Sequence, residues 1–118
     1  MCNIRVANLE DENQLINLVK AGLDTDKVKK TARQVVHDFF NDTKYEIFVI
    51  EEANSLKGFG SLEFKREPGE DEIAELVMMN VNDDLKEKGY QNKLINYIEK
   101  YARETGVREI YLRPWKFR

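Results

Sequence analysis

A chain of 118 residues, 42% hydrophobic and 35% charged, has room for one core and is too apolar to stay unfolded, so a single domain over 1–118 is expected. A formal net charge of −3 excludes a nucleic-acid partner that needs a basic face, and a lone cysteine, Cys2, excludes an internal disulfide framework. No apolar run is long enough to cross a bilayer and nothing at the N-terminus reads as a signal peptide, so no membrane partner and a cytoplasmic location are expected.

In chain order, "NIRVANL" alternates Ile4 and Val6 with polar neighbours and reads as a first strand. Asn8 then suits a helix N-cap, with Asp11 three residues on as capping-box partner. Leu15, Ile16, Leu18, Val19 and Leu23 form a helical stripe, and Gly22 stands near its end. A second helix is expected from about Asp26, since Val28, Ala32, Val35, Val36, Phe39 and Phe40 recur at three- and four-residue spacing before "NDTK". Lys27, Lys29, Lys30 and Arg33 fit the wet face of that helix. His37 falls inside the same pattern with no Cys or His partner, so it reads as a structural or surface residue and no metal site is expected.

"YEIFVIEE" and "LKGFGSLEFKR", joined by "ANS", are β-branched and aromatic and read as a pair of strands. Gly58 and Gly60 inside the second of them point to a bulge or to a close approach by another element. Pro68-Gly69 suits the centre of a type II turn and leads into a fourth strand over about Glu72 to Val81. Next comes "DDLKEKGYQNKL", which by spacing alone is either a polar turn into a helix or a cradle for an anion. Leu94, Ile95, Ile98, Tyr101 and Ala102 mark one face of the helix that follows; Gly106 stops it, and "VREIYLR" is a fifth strand. The order β-α-α-β-β-β-α-β describes an α/β protein with a mixed sheet, and the last β-α-β makes the fourth and fifth strands parallel.

The stretch "IAELVMMNVNDDLKEKGYQNKLINYIEKYARETGVREIYLR" resembles the GNAT family of acyl-CoA N-acyltransferases, and the order of elements extends the resemblance over nearly the whole chain. Ala74-Glu75-Leu76 and Val81 fit that family's strand A-E-I-x-x-x-x-V; Lys86 stands at the first position of Q/R-x-x-G-x-G/A, Gly89 at its first glycine, and Gln91 where glycine or alanine is usual. The resemblance implies acetyl transfer from acetyl-CoA to a primary amine of unidentified kind, without a metal. A diphosphate is well served by free amides at a helix N-terminus, where the helix dipole also favours negative charge. By resemblance, the turn Lys86, Lys88, Gly89, Tyr90, Gln91 and Asn92 would take the diphosphate, with Lys93 adding charge, and the main chain of Met79, Asn80 and Val81 would hold the pantetheine arm. Gln91 brings bulk to that turn unless its side chain points outward. Glu75 aligns with the strand glutamate that serves as general base in the histone-acetylating branch.

Family members usually continue past the fifth strand into a helix and two strands, and that helix often carries a tyrosine that protonates the leaving thiolate. Here the sequence ends at "RPWKFR", and Tyr90, Tyr97, Tyr101 and Tyr111 lie on other elements. A homodimer that completes the sheet, with Trp115 and Phe117 as a docking tail, is one expectation. A non-catalytic GNAT-like module that binds CoA or self-associates is the alternative function.

Overall fold

The computed structural model describes residues 2–22, 30–66 and 68–112. Its elements are β1 (Cys2–Val6), a 3-10 turn (Leu9–Asp11), α1 (Glu12–Gly22), α2 (Ala32–Asn41), β2 (Tyr45–Glu52), β3 (Ser55–Lys65), β4 (Ile73–Val81), α3 (Asp83–Glu87), α4 (Tyr90–Glu104) and β5 (Glu109–Leu112). The strands form one sheet in chain order, antiparallel from β1 to β4, with β5 parallel to β4. The expected order thus holds, with α3 as an addition: "DDLKE" makes a helical turn of its own before the long helix. Among the described residues no helix is long and apolar enough to cross a membrane.

Alternation along the strands sends two apolar sets to opposite faces. Phe48, Ile50, Leu62, Ala74, Leu76, Met79 and Val81 pack with Leu94, Ile98 and Ala102 of α4 on one face. Ile47, Val49 and Phe59 pack with Leu15 and Val19 of α1 and Val35, Val36 and Phe39 of α2 on the other. Gly60 allows the α4 layer to sit close, because a Cβ built there would come within 2.8 Å of the Ile98 Cδ1 atom. The expectation of a close approach is therefore met at Gly60. The expectation of a bulge is met beside Gly58, where Ile50↔Gly58 steps to Glu51↔Leu56 and leaves Lys57 as the extra residue.

The Asn8 capping box forms as expected, with the Asn8 amide donating to Asp11 Oδ2 at 2.8 Å. Asp11 is buried, and its two oxygens also accept from Arg5 Nη1 at 2.8 Å and Nη2 at 2.9 Å. The Arg5 hydrogen bonds hold the Asp11 carboxyl below its ordinary range, helped by the Asn8 amide and opposed by burial. A depressed native pKa stabilises the fold above the unfolded value and ceases to as pH falls through the native one. Urea unfolding between neutral pH and pH ~2 is therefore expected to show a loss of stability beginning near pH 4. In Asp11→Asn that acid-side loss should be shallower, and the variant should be weaker at neutral pH by about 2 kcal/mol.

The start of α2 differs from the sequence reading. The described helix opens at Ala32, with Thr31 as N-cap accepting from the Gln34 amide and Gln34 reaching back to Thr31. That T-x-x-Q box is a local start signal, which the apolar spacing back to Val28 obscured. The expected start near Asp26, with Lys27 and Val28, lies outside the described residues, as do Leu23 at the end of the first stripe and the tail carrying Trp115 and Phe117.

Besides the start of α4, three turns among the described residues show positive φ. Gly69, at +81°, has the conformation a type II turn requires after Pro68, and Gly106, at +94°, ends α4 as expected. In the β2–β3 hairpin, Ala53 and Asn54 take φ of 51° and 65°, the pair of left-handed residues of a type I′ turn. Asparagine tolerates this conformation; alanine resists it through its Cβ. Ala53→Gly is expected to stabilise the protein by about 0.5–1 kcal/mol, seen as a higher urea midpoint at unchanged slope.

Candidate active site

The fourth strand carries a second bulge. Its register with β3 runs Met78↔Ser61 and then Leu76↔Leu62, so Val77 is an extra residue. Ala74 and Leu76 face α4, and so do Met79 and Val81, while Met78 packs toward α1 and α2. Both bulge residues, Val77 and Met78, line a cleft on the α2 side. The described pairing of β4 with β5 runs from Ile73↔Glu109 to Leu76↔Leu112, the last described residue.

Past the bulge the backbone of β4 divides by parity. The Asn82 amide donates to the Lys57 carbonyl at 2.9 Å, which makes 82↔57 a hydrogen-bonded pair. In an antiparallel ladder such pairs alternate, so Asn80 and Met78 also address β3, and the main chains of Met79 and Val81 turn away from it. Met79 and Val81 thus offer main-chain groups on the side of β4 away from β3. Asn80 does not: its main chain addresses β3, and its side-chain amide donates to the Leu18 carbonyl of α1 at 2.9 Å.

The turn after β4 answers the question its sequence posed. The Lys88 and Gly89 amides are already used, donating to the carbonyls of Leu85 and Lys86 at 3.1 and 3.0 Å. Gly89 takes φ of +82° and starts α4 with no side-chain cap. The first bond of α4 closes from the Lys93 amide to the Gly89 carbonyl. Among the described residues, no acceptor meets the amides of Tyr90, Gln91 and Asn92, as for any uncapped helix start. A Cβ placed on Gly89 would meet nothing within 4 Å, so the approach is clear of protein. Lys88, Asn92 and Lys93 are exposed there, and Gln91 is half-buried. Lys86 makes a loose 3.9 Å contact with exposed Asp83. The Tyr90 side chain does not join this group. It leans toward β1, where the Cys2 thiol, by hydrogen bonding, pushes its phenol pKa up, and Lys93 Nζ lies 4.4 Å from its ring centroid. Three free amides with lysines beside them suit a diphosphate.

Glu75 precedes the bulge, on the face turned to α1 and α2, and is buried. Its Oε2 accepts from Lys65 Nζ at 2.6 Å, an ion pair that offsets the cost of burying the carboxylate. Glu75 stands between Glu63 of β3 and Tyr111 of β5 in the sheet register. The Tyr111 hydroxyl donates to Glu109. Lys65, Glu63 and Val77 escaped the sequence reading. The break in apolar alternation, from Ala74 and Leu76 to Met79 and Val81, does mark the bulge.

A sequence model of the acetyltransferase (GNAT) domain matches residues 4–115. The chain belongs to the GNAT family. It is an N-acetyltransferase, and the family uses acetyl-CoA. Solved GNAT structures share its fold. The ribosomal-protein-alanine N-acetyltransferase from Brucella melitensis biovar Abortus 2308 superposes with a TM-score of 0.79 at 18% identity, over 96% of this chain and 79% of that one. An aminoglycoside acetyltransferase from an uncultured soil metagenomic sample, solved with sisomicin, gives 0.77 at 19% identity, over 95% and 76%. A predicted acetyltransferase from Clostridium acetobutylicum, solved with acetyl-CoA, gives 0.78 at 17% identity, over 96% and 80%. A search of curated proteins found no match. Among the described residues of this GNAT chain, no group of three or more His, Cys, Asp or Glu is placed to hold a metal ion.

Proposed function

We propose that the protein transfers the acetyl group of acetyl-CoA to a primary amine, with the co-substrate laid along the side of β4 away from β3 and onto the start of α4. The observation that carries this reading is the run of uncapped amides at Tyr90, Gln91 and Asn92, following a β4 in which the main chains of Met79 and Val81 turn away from β3. Main-chain groups of Met79 and Val81 would pair with the pantetheine arm, and Lys86, Lys88 and Lys93 would add charge around the diphosphate. Asn80 has no part in that binding, since its polar groups are engaged with β3 and α1.

The chemistry asks two things of the chain. An alkylammonium with an ordinary pKa of ~10.4 must give up a proton before its nitrogen can attack. Glu75 is the group proposed to receive it. The neutral nitrogen then bonds to the thioester carbonyl carbon, the C–S bond breaks, and the thiolate leaves and takes up the second proton from nitrogen. The products are an amide and the free thiol. The carbonyl oxygen gains charge on the way, and a main-chain amide of β4 turned away from β3, such as that of Met79, would donate to it. The location that goes with this co-substrate is the cytoplasm. A homodimer is also proposed: Tyr111 and Leu112 of β5 are 48% and 41% exposed, and pairing with a second copy would cover them.

Thermal melting with CoA tests the site, because a ligand that binds only the native state raises the midpoint, by about 2.7 kcal/mol of stabilisation at a hundred times its Kd. No shift at millimolar CoA would overturn the reading. Light scattering on the same samples reads the oligomeric state, and a monomer at all concentrations would remove the dimer.

A further inference from the structure

The cleft floored by the bulge lies between the sheet and α2. Val35 and Phe39 of α2, Tyr45 of β2, and Val77 and Met78 of β4 give it apolar and aromatic walls around about 220 Å³. Phe39 and Tyr45 brace one another edge to face, with ring centroids 5.0 Å apart, so that wall is stiff. Three charged side chains complete the lining: the exposed pair Lys30 and Asp38, bonded to each other at 2.6 Å, and Glu63, whose side chain is only 19% exposed.

The carboxylates of this region are not equally engaged. Asp38 accepts from Lys30 at 2.6 Å, Glu75 from Lys65 at 2.6 Å, and Asp42 has Lys44 at 3.6 Å. Glu63 has only the far side of Lys44, at 4.0 Å, and no hydrogen bond from a described side chain. It also stands opposite Glu75 on the neighbouring strand, and like charges facing across strands are unfavourable unless a cation relieves them. On the same face, two residues before Glu63 and directly opposite Met78, the Ser61 hydroxyl is fully buried and meets no partner among the described residues. Buried polar groups short of partners are rare in folded proteins and call for an explanation.

We propose that this cleft receives the acceptor, and that the acceptor is a small primary ammonium ion on an aromatic or branched apolar body, its nitrogen read by Glu63. The inference rests on the transferase reading above and names its substrate class. A volume of about 220 Å³ lies below the usual 300–1,000 Å³ of pockets for drug-sized molecules, which favours a small amine over a multi-ring aminosugar. A linear polyamine would leave the aromatic wall unused. The side chain of Met78 lines the cleft, and the main chain of the next residue, Met79, faces away from β3, where the thioester would lie. Consecutive Cα atoms are ~3.8 Å apart, so the bulge sets the amine and the thioester on adjoining residues of one strand.

The test compares phenethylamine, spermidine and kanamycin as acceptors for the full chain by release of thiol from acetyl-CoA. It adds an NMR titration with phenethylamine alone, and 2-phenylethanol as the uncharged control. Phenethylamine should have the highest kcat/KM, and 2-phenylethanol should not compete. Glu63→Gln should raise the KM for phenethylamine by about ten- to a hundredfold with kcat little changed, as loss of a charge-assisted hydrogen bond implies. Val35→Phe, which narrows the cleft without touching its charge, should raise the KM for phenethylamine more than that for ethylamine. A preference for spermidine or kanamycin, a KM indifferent to Glu63→Gln, or equal effects of Val35→Phe on both amines would overturn the cleft while leaving the transferase standing. Phenethylamine titration that depends on Glu63, with no thiol released by any amine, would support the cleft and overturn the transferase.

Discussion

Glu75→Gln is expected to lower kcat/KM for acetyl transfer by about a hundredfold or more, the usual worth of a positioned general base. Glutamine fills the same volume and keeps an oxygen for the Lys65 ammonium, which sits 2.6 Å from Oε2 in the native protein. The packing around this 6%-exposed residue should therefore survive; what is lost is the capacity to take a proton and the negative charge facing Lys65. The pH profile carries the discrimination. Without an internal base the enzyme depends on acceptor that has already lost its proton in solution, so the residual rate should climb with pH toward the ordinary amine pKa of ~10.4. Thermal melting with and without CoA separates this from a folding defect. A variant whose rate and pH profile match those of the native enzyme would remove Glu75 from the chemistry.

Deleting Val77 is expected to abolish CoA binding and leave the fold standing. Leu76 pairs with Leu62 and Met78 with Ser61, so removing the residue between them joins two positions that already alternate correctly. Leu76 stays on the α4 face and Met78 on the α1 and α2 face, and neither apolar layer loses a member. What disappears is the kink, since a bulge bends its strand and raises the local twist. A straight β4 carries the main chains of Met79 and Val81 along a different path, off the line on which the pantetheine arm would pair with them. The CoA-induced rise in melting temperature, worth about 2.7 kcal/mol at a hundredfold excess over Kd, should vanish while the far-UV spectrum is kept. If CoA stabilises the deletion variant as it does the native chain, the bulge is not what shapes the binding edge.

What the sequence disclosed follows the reach of the interactions involved. Asn8 with Asp11, Pro68-Gly69 and Gly106 act within a few residues, and each appears in the structure in the expected role. The parallel setting of β4 and β5 followed from the helix between them. The helix α3 went unseen because Asp83–Glu87 is a single turn with no apolar period of its own. Roles that depend on register were beyond local reading. Asn80 sits in the right stretch of strand for a co-substrate contact, yet the 82↔57 pairing turns its main chain inward and α1 claims its side chain. The partnership of Glu75 with Lys65 arises from the β3–β4 hairpin, ten residues apart in sequence, and no short motif announces it. Gly89 was legible as a glycine at the head of a helix. Which amides beyond it remain open was not, because that depends on α3 having taken those of Lys88 and Gly89.

The missing side chain at Gly60 has a reach out of proportion to its size. Ile98 settles over it, eight residues or about 12 Å along the rod from Tyr90. Add one methyl group there, and either Ile98 swings aside and leaves a void or the rod rides higher and carries its leading end with it. With the nucleotide held at the start of α4 as proposed, its affinity would be tunable from beneath, by a buried position that has no side chain, so drift in the oily layer would retune binding while every residue at the mouth stays the same.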